Sequence, residues 1–217
     1  MTEITIELKA EFNDLQGAVR ELGCHQSGRF FFARSDEMLI LFDLINGKKL
    51  KGFYSSSGYD AAAFSHDGFS LSYMTEDQIH VWDLYYWRET QVYPGTLSEA
   101  KRTDASLDLG LWALGNEQGI IEVRKIEKDE EDAPDFQLSG HENYIDSVRF
   151  HPSGKILATG SADMTFRFWD LEERKEISHH KVHSDFVTAL AFTNDGRMML
   201  SGDYSGKIKL WSINIKF

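Results

Sequence analysis

The chain has 217 residues, 41% of them apolar, with 35 acidic and 23 basic side chains and a net charge of −12. No apolar run of 18 residues is present, which excludes a membrane-spanning helix, and the acidic balance, with no basic stripe visible, argues against general nucleic-acid binding. The single cysteine, Cys24, allows no internal disulfide, and the N-terminus MTEITIELKAEF lacks the basic start and apolar centre of a secretion signal, so the sequence predicts a reducing, cytoplasmic setting.

In chain order, residues 1–12 come first, where Ile4, Ile6 and Leu8 alternate as in a strand. Residues 14–53 hold a turn at His25-Gln26-Ser27-Gly28, a strand through Phe30-Phe31-Phe32, a second turn at Asp36 and a strand from Leu39 to Asp43. Residues 54–94 repeat the plan, with turns at Ser65-His66-Asp67-Gly68 and Thr75-Glu76-Asp77 and a strand closing on Trp82-Asp83. Three aromatics, Tyr85, Tyr86 and Trp87, follow directly; they read either as an exposed patch or as a turn packed on a neighbour.

Residues 95–139 keep the apolar pattern Ile120, Ile121, Val123 and Ile126 but have Arg124 where the previous unit has Trp82. Between 127 and 135 six of nine residues are acidic, which predicts a solvated loop or one that docks a basic partner. Residues 140–181 contain the fullest unit, GHENYIDSVRFHPSGKILATGSADMTFRFWD, and residues 182–217 give a fifth that ends on Trp211-Ser212. Phe42, Trp82, Arg124, Trp169 and Trp211 lie 40, 42, 45 and 42 residues apart, so five copies account for nearly all of the chain.

Gly140-His141, Asp163 and Trp169-Asp170, with both turns and the strand lengths, resemble one unit of the WD-repeat β-propeller family, in which a repeat of roughly 40–45 residues supplies a four-stranded blade. The resemblance implies an all-β antiparallel propeller with five blades encoded and, in ring-closing members, an N-terminal strand that completes the last blade. Ile4 to Leu8 fit that role, with the tail from Ile213 to Phe217 as the competing outer strand. The family's structural tetrad implies a buried network of His141, Ser161, Asp163 and Trp169. In the fifth copy the polar partners are exchanged, Asp203 standing at the place of Ser161, so His183, Asp203 and Trp211 form an altered version.

Also by resemblance, the mouth of the central channel is lined by residues at fixed offsets from each leading His and second-turn Asp. These include Arg20, Asp60, Glu99, Tyr144, Asp146, Phe186, Thr188 and Tyr204. Tyr144, Phe186 and Tyr204, all in the last two units, are anchors for a protein or peptide, with Asp60, Asp146 and Glu99 favouring a basic one. The competing reading packs these aromatics between blades.

No Gly-x-Ser-x-Gly elbow, phosphate-cradling loop or His-Glu-x-x-His motif is present, so neither catalysis nor a cofactor is expected. His179, His180 and His183 invite a metal, but neighbours on a strand point to opposite faces and His183 already has a place in a network. The expected function is a non-catalytic scaffold that binds a partner at the channel mouth. The alternatives are a channel-based enzyme or small-molecule sensor, and one part of a larger ring shared between chains or domains. Five blades are fewer than the family's common seven, so a ring that fails to close would favour oligomers.

Overall fold

The computed structural model describes residues 2–216 except 57, 60, 66, 67, 76, 77, 95–102, 107–109 and 126–132. After β1 (Glu3–Phe12), the strands fall into groups of four. Sheet 1 comprises β2 (Glu21–Cys24), β3 (Phe30–Arg34), β4 (Met38–Asp43) and β5 (Lys49–Tyr54); sheet 2 comprises β6 (Ala61–Phe64), β7 (Ser70–Thr75), β8 (Gln78–Asp83) and β9 (Arg88–Pro94). Sheet 3 comprises β10 (Thr103–Ser106), β11 (Leu111–Gly115), β12 (Ile120–Lys125) and β13 (Phe136–Ser139), and sheet 4 comprises β14 (Ile145–Phe150), β15 (Ile156–Ser161), β16 (Phe166–Asp170) and β17 (Lys175–His180). Sheet 5 takes β18 (Val187–Phe192), β19 (Met198–Asp203) and β20 (Ile208–Lys216), and its outer strand is β1.

Every pairing is antiparallel, because tight turns join neighbours in sequence. Gly28, Gly68, Gly154 and Gly196 close the turn after the first strand in four sheets, all at φ between 66° and 74°, where a Cβ would be strained. The exception to sequence order is β1, which joins the two ends of the chain: Ile4 lies opposite Ile215 and Leu8 opposite Trp211. The tail residues Ile213 to Lys216 continue β20 and do not form the outer strand.

Four apolar clusters mark four sheet-to-sheet seams, joining sheets 1 and 2, 5 and 1, 4 and 5, and 3 and 4. The last three share a knob and a hole. An ideal Cβ on Gly115 would sit 2.4 Å from Ile145, on Gly160 2.8 Å from Val187, and on Gly202 2.4 Å from Val19. A β-branched residue on the first strand of one sheet, or in the case of Val19 just before it, thus fills the space that a missing side chain leaves on the second strand of its neighbour. Two seams carry a further latch, because His25 Nε2 lies 2.8 Å from the Gly68 carbonyl and His151 Nε2 2.9 Å from that of Gly196. Ser27 and Ser153 N–H groups donate to Nδ1 of the same rings, which leaves Nε2 to donate across the seam.

Sheet 2 is different on its far side. The apolar pair on the third strand is buried in the other sheets, as Leu39/Leu41, Ile121/Val123, Phe166/Phe168 and Ile208/Leu210, whereas Ile79 and Val81 are only half-buried. Met74 stands there in the place of the glycine, and a cavity of about 250 Å³ lies over Ala61, Ala63, Met74 and Ile79.

Candidate functional site

The buried polar network of sheet 4 begins with His141, just before β14. Its Nδ1 lies 2.7 Å from Asp163 Oδ2 and its Nε2 2.7 Å from Thr159 Oγ1, to which the Trp169 indole N–H donates at 2.8 Å. One proton assignment satisfies every group: Trp169 donates to Thr159, Thr159 to His141 Nε2, and His141 Nδ1–H to Asp163. The imidazole is then neutral. Burial lowers the His141 pKa, which the bond to Asp163 opposes. Burial also opposes ionisation of Asp163, but bonds from His141, Thr165 and the Glu142 N–H outweigh it and hold the carboxyl well below its ordinary range. With His141 neutral, hydrogen bonding is the main cause, and the Arg167 guanidinium 3.5 Å from Oδ2 adds a longer ion pair.

Ser161 is not in this relay, contrary to the sequence expectation. Its hydroxyl lies 2.8 Å from the Tyr144 carbonyl and accepts from the Asp163 N–H at 3.1 Å. The hydroxyl of the relay comes from Thr159, two residues earlier on the same face of β15. In sheet 5 the same register position holds Ser201, which lies 2.7 Å from His183 Nε2 and accepts from Trp211 at 2.8 Å. Asp203 takes the other ring nitrogen at 2.8 Å, so the acid here stands at the register of Ser161. Burial works against the Asp203 charge, and bonds from His183, Ser205 and the Lys207 N–H bring its pKa below the ordinary value. Thr159 and Ser201 are both hydroxyls ten residues before the Trp, a spacing the sequence shows but that does not by itself set Thr159 above Ser161.

Among the described residues the remaining sheets show no such relay. In sheet 1, Phe42 stacks on Phe31 at 4.7 Å, with Ala33 at the hydroxyl position. In sheet 2 that position is Tyr73, and the buried Trp82 N–H has no hydrogen-bond partner among the described residues.

The residues expected at the channel mouth can now be placed. Tyr144 meets Phe186 at 6.1 Å between ring centroids, Phe186 meets Tyr204 at 6.1 Å, and the Arg20 guanidinium lies 5.5 Å over Tyr204. The row therefore spans sheets 4, 5 and 1. The backbone holds it in place: the Tyr144 carbonyl accepts from the Ala162 N–H and the Phe186 carbonyl from that of Tyr204. Tyr144 and Phe186 are half-buried and Tyr204 is 49% exposed. Arg20 binds both Asp36 oxygens, at 2.9 Å to 3.2 Å, and this bond raises its pKa against the opposing effect of burial.

Asp146 and Thr188 occupy the same place in a β-bulge, between Ile145 and Ser147 and between Val187 and Ala189. Such an extra residue is free to turn its side chain away from the ladder. Asp146 acts electrostatically on Arg20. Thr188, by contrast, donates its hydroxyl to the Val19 carbonyl across the seam, so it clamps sheets 5 and 1 together and does not present that group to a partner. Asp60 and Glu99 lie outside the described residues.

The three clustered histidines separate. His179 bonds Glu176 at 2.8 Å, His180 packs on Phe166 at 5.2 Å and His183 stays in its network. Among the described residues no group of three His, Cys, Asp or Glu could hold a metal ion, and no helix is long and apolar enough to cross a membrane. Burial pushes the Cys24 thiol up to about 12, which leaves it un-ionised at neutral pH.

Comparison with known proteins matches two stretches of the chain to a repeat family. Residues 133–170 and 174–212 match the family described as WD domain, G-beta repeat. The chain is 34% identical over 79 residues to coronin-7 of Rattus norvegicus, covering 36% of this chain and 9% of that protein. It is 30% identical over 86 residues to jouberin of Rattus norvegicus, covering 37% and 8%. It is 27% identical over 202 residues to a guanine nucleotide-binding protein subunit beta-like protein of Encephalitozoon cuniculi, covering 83% of this chain and 58% of that protein. The chain thus spans a small part of the first two and somewhat over half of the third.

Proposed function

We propose that this chain, which belongs to the WD-repeat family, is a non-catalytic platform that holds a protein or peptide partner at the mouth formed by sheets 4, 5 and 1. The observation behind this reading is the row of Tyr144, Phe186 and Tyr204 ending on Arg20. Tyr144 meets Phe186 edge to face, Phe186 meets Tyr204 at a tilt, the guanidinium lies over Tyr204, and this outermost ring is half exposed. Rigid aromatic anchors gain contact area with little loss of side-chain freedom, and a preformed surface avoids the entropy of ordering. Asp146 and Asp36 give this rim negative charge beside one cation, which favours a basic segment that replaces Arg20 over Tyr204 or sits next to it. The relays of sheets 4 and 5 serve this surface by fixing the two loops that carry its rings.

The test is capture of partners from the native cell by the tagged chain, with Tyr204→Ala and Phe186→Ala compared with the unaltered chain. A specific partner lost by both variants, with their melting midpoints unchanged, supports the mouth as the site. A partner retained by both rules it out.

A second reading, part of a ring shared with another chain, is favoured by the half-buried Ile79 and Val81 on the far side of sheet 2. It predicts a mass in light scattering above 24.9 kDa, or a stable complex with a second polypeptide. A strict monomer whose introduced Val81→Cys thiol resists labelling would refute it.

A further inference from the structure

Away from the mouth, the outer edge of sheets 1 and 2 differs from the rest of this acidic molecule. From 44 to 59 the sequence LINGKKLKGFYSSSGY holds three lysines and no acid, in a chain with 35 acids among 217 residues. The fold brings this stretch against β8 of sheet 2, the strand that leads into the turn carrying Tyr85, Tyr86 and Trp87. Lys51 Nζ, on β5, reaches across the seam to 5.0 Å over the Trp82 ring of sheet 2. Lys49 lies 5.7 Å from the Tyr54 ring, and Arg88 5.5 Å from that of Tyr86.

Two properties mark these cations, the first of them shared with Arg174 over Phe136. Arg20, Arg34, Arg167 and Lys209 each pair with a carboxylate, but among the described residues Lys49, Lys51 and Arg88 have aromatic faces and no acid. Two of the rings beside them are also open: Tyr54, beside Lys49, is 67% exposed and Tyr86, beside Arg88, 65%, while the Trp82 ring under Lys51 is half-buried. The nearby acids are already engaged. Asp83 caps the turn by accepting from the Tyr85 and Tyr86 N–H groups, and Glu89 is held by His80 and Tyr73. Lys49 and Lys51 lie in one repeat and Arg88 in the next, so the sequence does not show the three cations as one stripe.

We infer that this edge is a second docking surface, separate from the mouth, for an extended acidic segment of a partner protein. Charge complementarity sets the sign: unpaired cations in a chain of net charge −12 attract a local anion once the general repulsion is screened, over about 8 Å at physiological salt. The geometry sets the form. β5 is the outer strand of its sheet, so an extended segment can lie along its free edge while its side chains contact the tyrosines. An acidic peptide fits better than a nucleic-acid strand, which carries a charge on every nucleotide and needs more phosphate contacts than three cations supply.

Fluorescence anisotropy of a labelled peptide of alternating Glu and Val, with single-stranded oligo(U) as the parallel probe, tests this. The expected result is peptide binding that weakens with salt, falls about tenfold or more in Lys49→Glu/Lys51→Glu, falls in Tyr86→Ala, and is unchanged in Tyr204→Ala. If the double variant misfolds by circular dichroism, Tyr86→Ala and Tyr204→Ala carry the comparison. Absence of peptide binding, equal binding by the altered chains, an equal loss in Tyr204→Ala, or tighter binding of oligo(U) would each overturn the inference.

Discussion

Replacing Thr159 by Val removes one hydroxyl and almost no volume, and the relay in sheet 4 depends on that hydroxyl at two points. Trp169 Nε1 loses its acceptor and His141 Nε2 its donor, in a place where Thr159 is fully buried and Trp169 is 1% exposed. Water cannot replace the missing partner without opening the sheet. A buried polar group left unpaired costs about 1–3 kcal/mol, so two of them cost on the order of 3 kcal/mol after partial relaxation. For a chain of this size that corresponds to a fall of about 6–12 °C in melting midpoint. Thr159→Ser keeps the hydroxyl, as Ser201 does in sheet 5, and is expected to lose less than about 1 kcal/mol. Thermal and urea unfolding followed by Trp fluorescence and circular dichroism measure both, with midpoints compared because repeat arrays need not unfold in one step. If Thr159→Val is as stable as Thr159→Ser, or if Ser161→Ala costs more than Thr159→Val, the hydroxyl assignment is wrong.

Trp82→Phe removes an indole N–H that has no partner among the described residues, so its midpoint should change little, whereas Trp169→Phe should cost about 2 kcal/mol or more; equal losses would contradict the difference drawn between sheets 2 and 4. Gly160→Ala places a Cβ 2.8 Å from Val187 Cγ1 and 2.9 Å from its carbonyl oxygen, so one strand must shift, and a loss of about 1–3 kcal/mol is expected in urea unfolding. The same change at Gly28, where no atom lies within 4 Å, meets no clash and should show only the milder strain of its positive φ. The pH dependence should come in two steps. Burial holds His141 and His151 below their ordinary 6.5, so the unfolded chain takes up protons first and stability, full above about pH 6.5, is lost as pH falls through the folded values. Asp163 and Asp203 are also depressed, so their contribution is present above about pH 4 and is lost below it. A urea midpoint that does not change between about pH 7 and pH 5 would show that the two imidazoles are not held neutral.

The repeats were legible because their causes are local. Alternating apolar residues and glycine-closed turns specify strand and hairpin within a few residues, and the spacing of Phe42, Trp82, Arg124, Trp169 and Trp211 indicates five sheets even where Arg124 has replaced the aromatic. His141, Asp163 and Trp169 could be read in the same way. The donor that links them could not be read securely, because Ser161 and Thr159 are both hydroxyls on one face of β15. Only the strand register shows that Thr159 lies between the indole and the imidazole while Ser161 faces the Tyr144 carbonyl. The fate of Thr188 was equally hidden, since its acceptor on Val19 is 169 residues away. Meetings of this kind decided the surfaces as well. Arg20 reaches Tyr204 only because β1 pairs with β20 and the first sheet packs on the last, and Lys51 reaches Trp82 only across a seam between two repeats. One sequence of short-range signals thus determined the sheets, and the long-range packing of sheet on sheet determined which side chains work together.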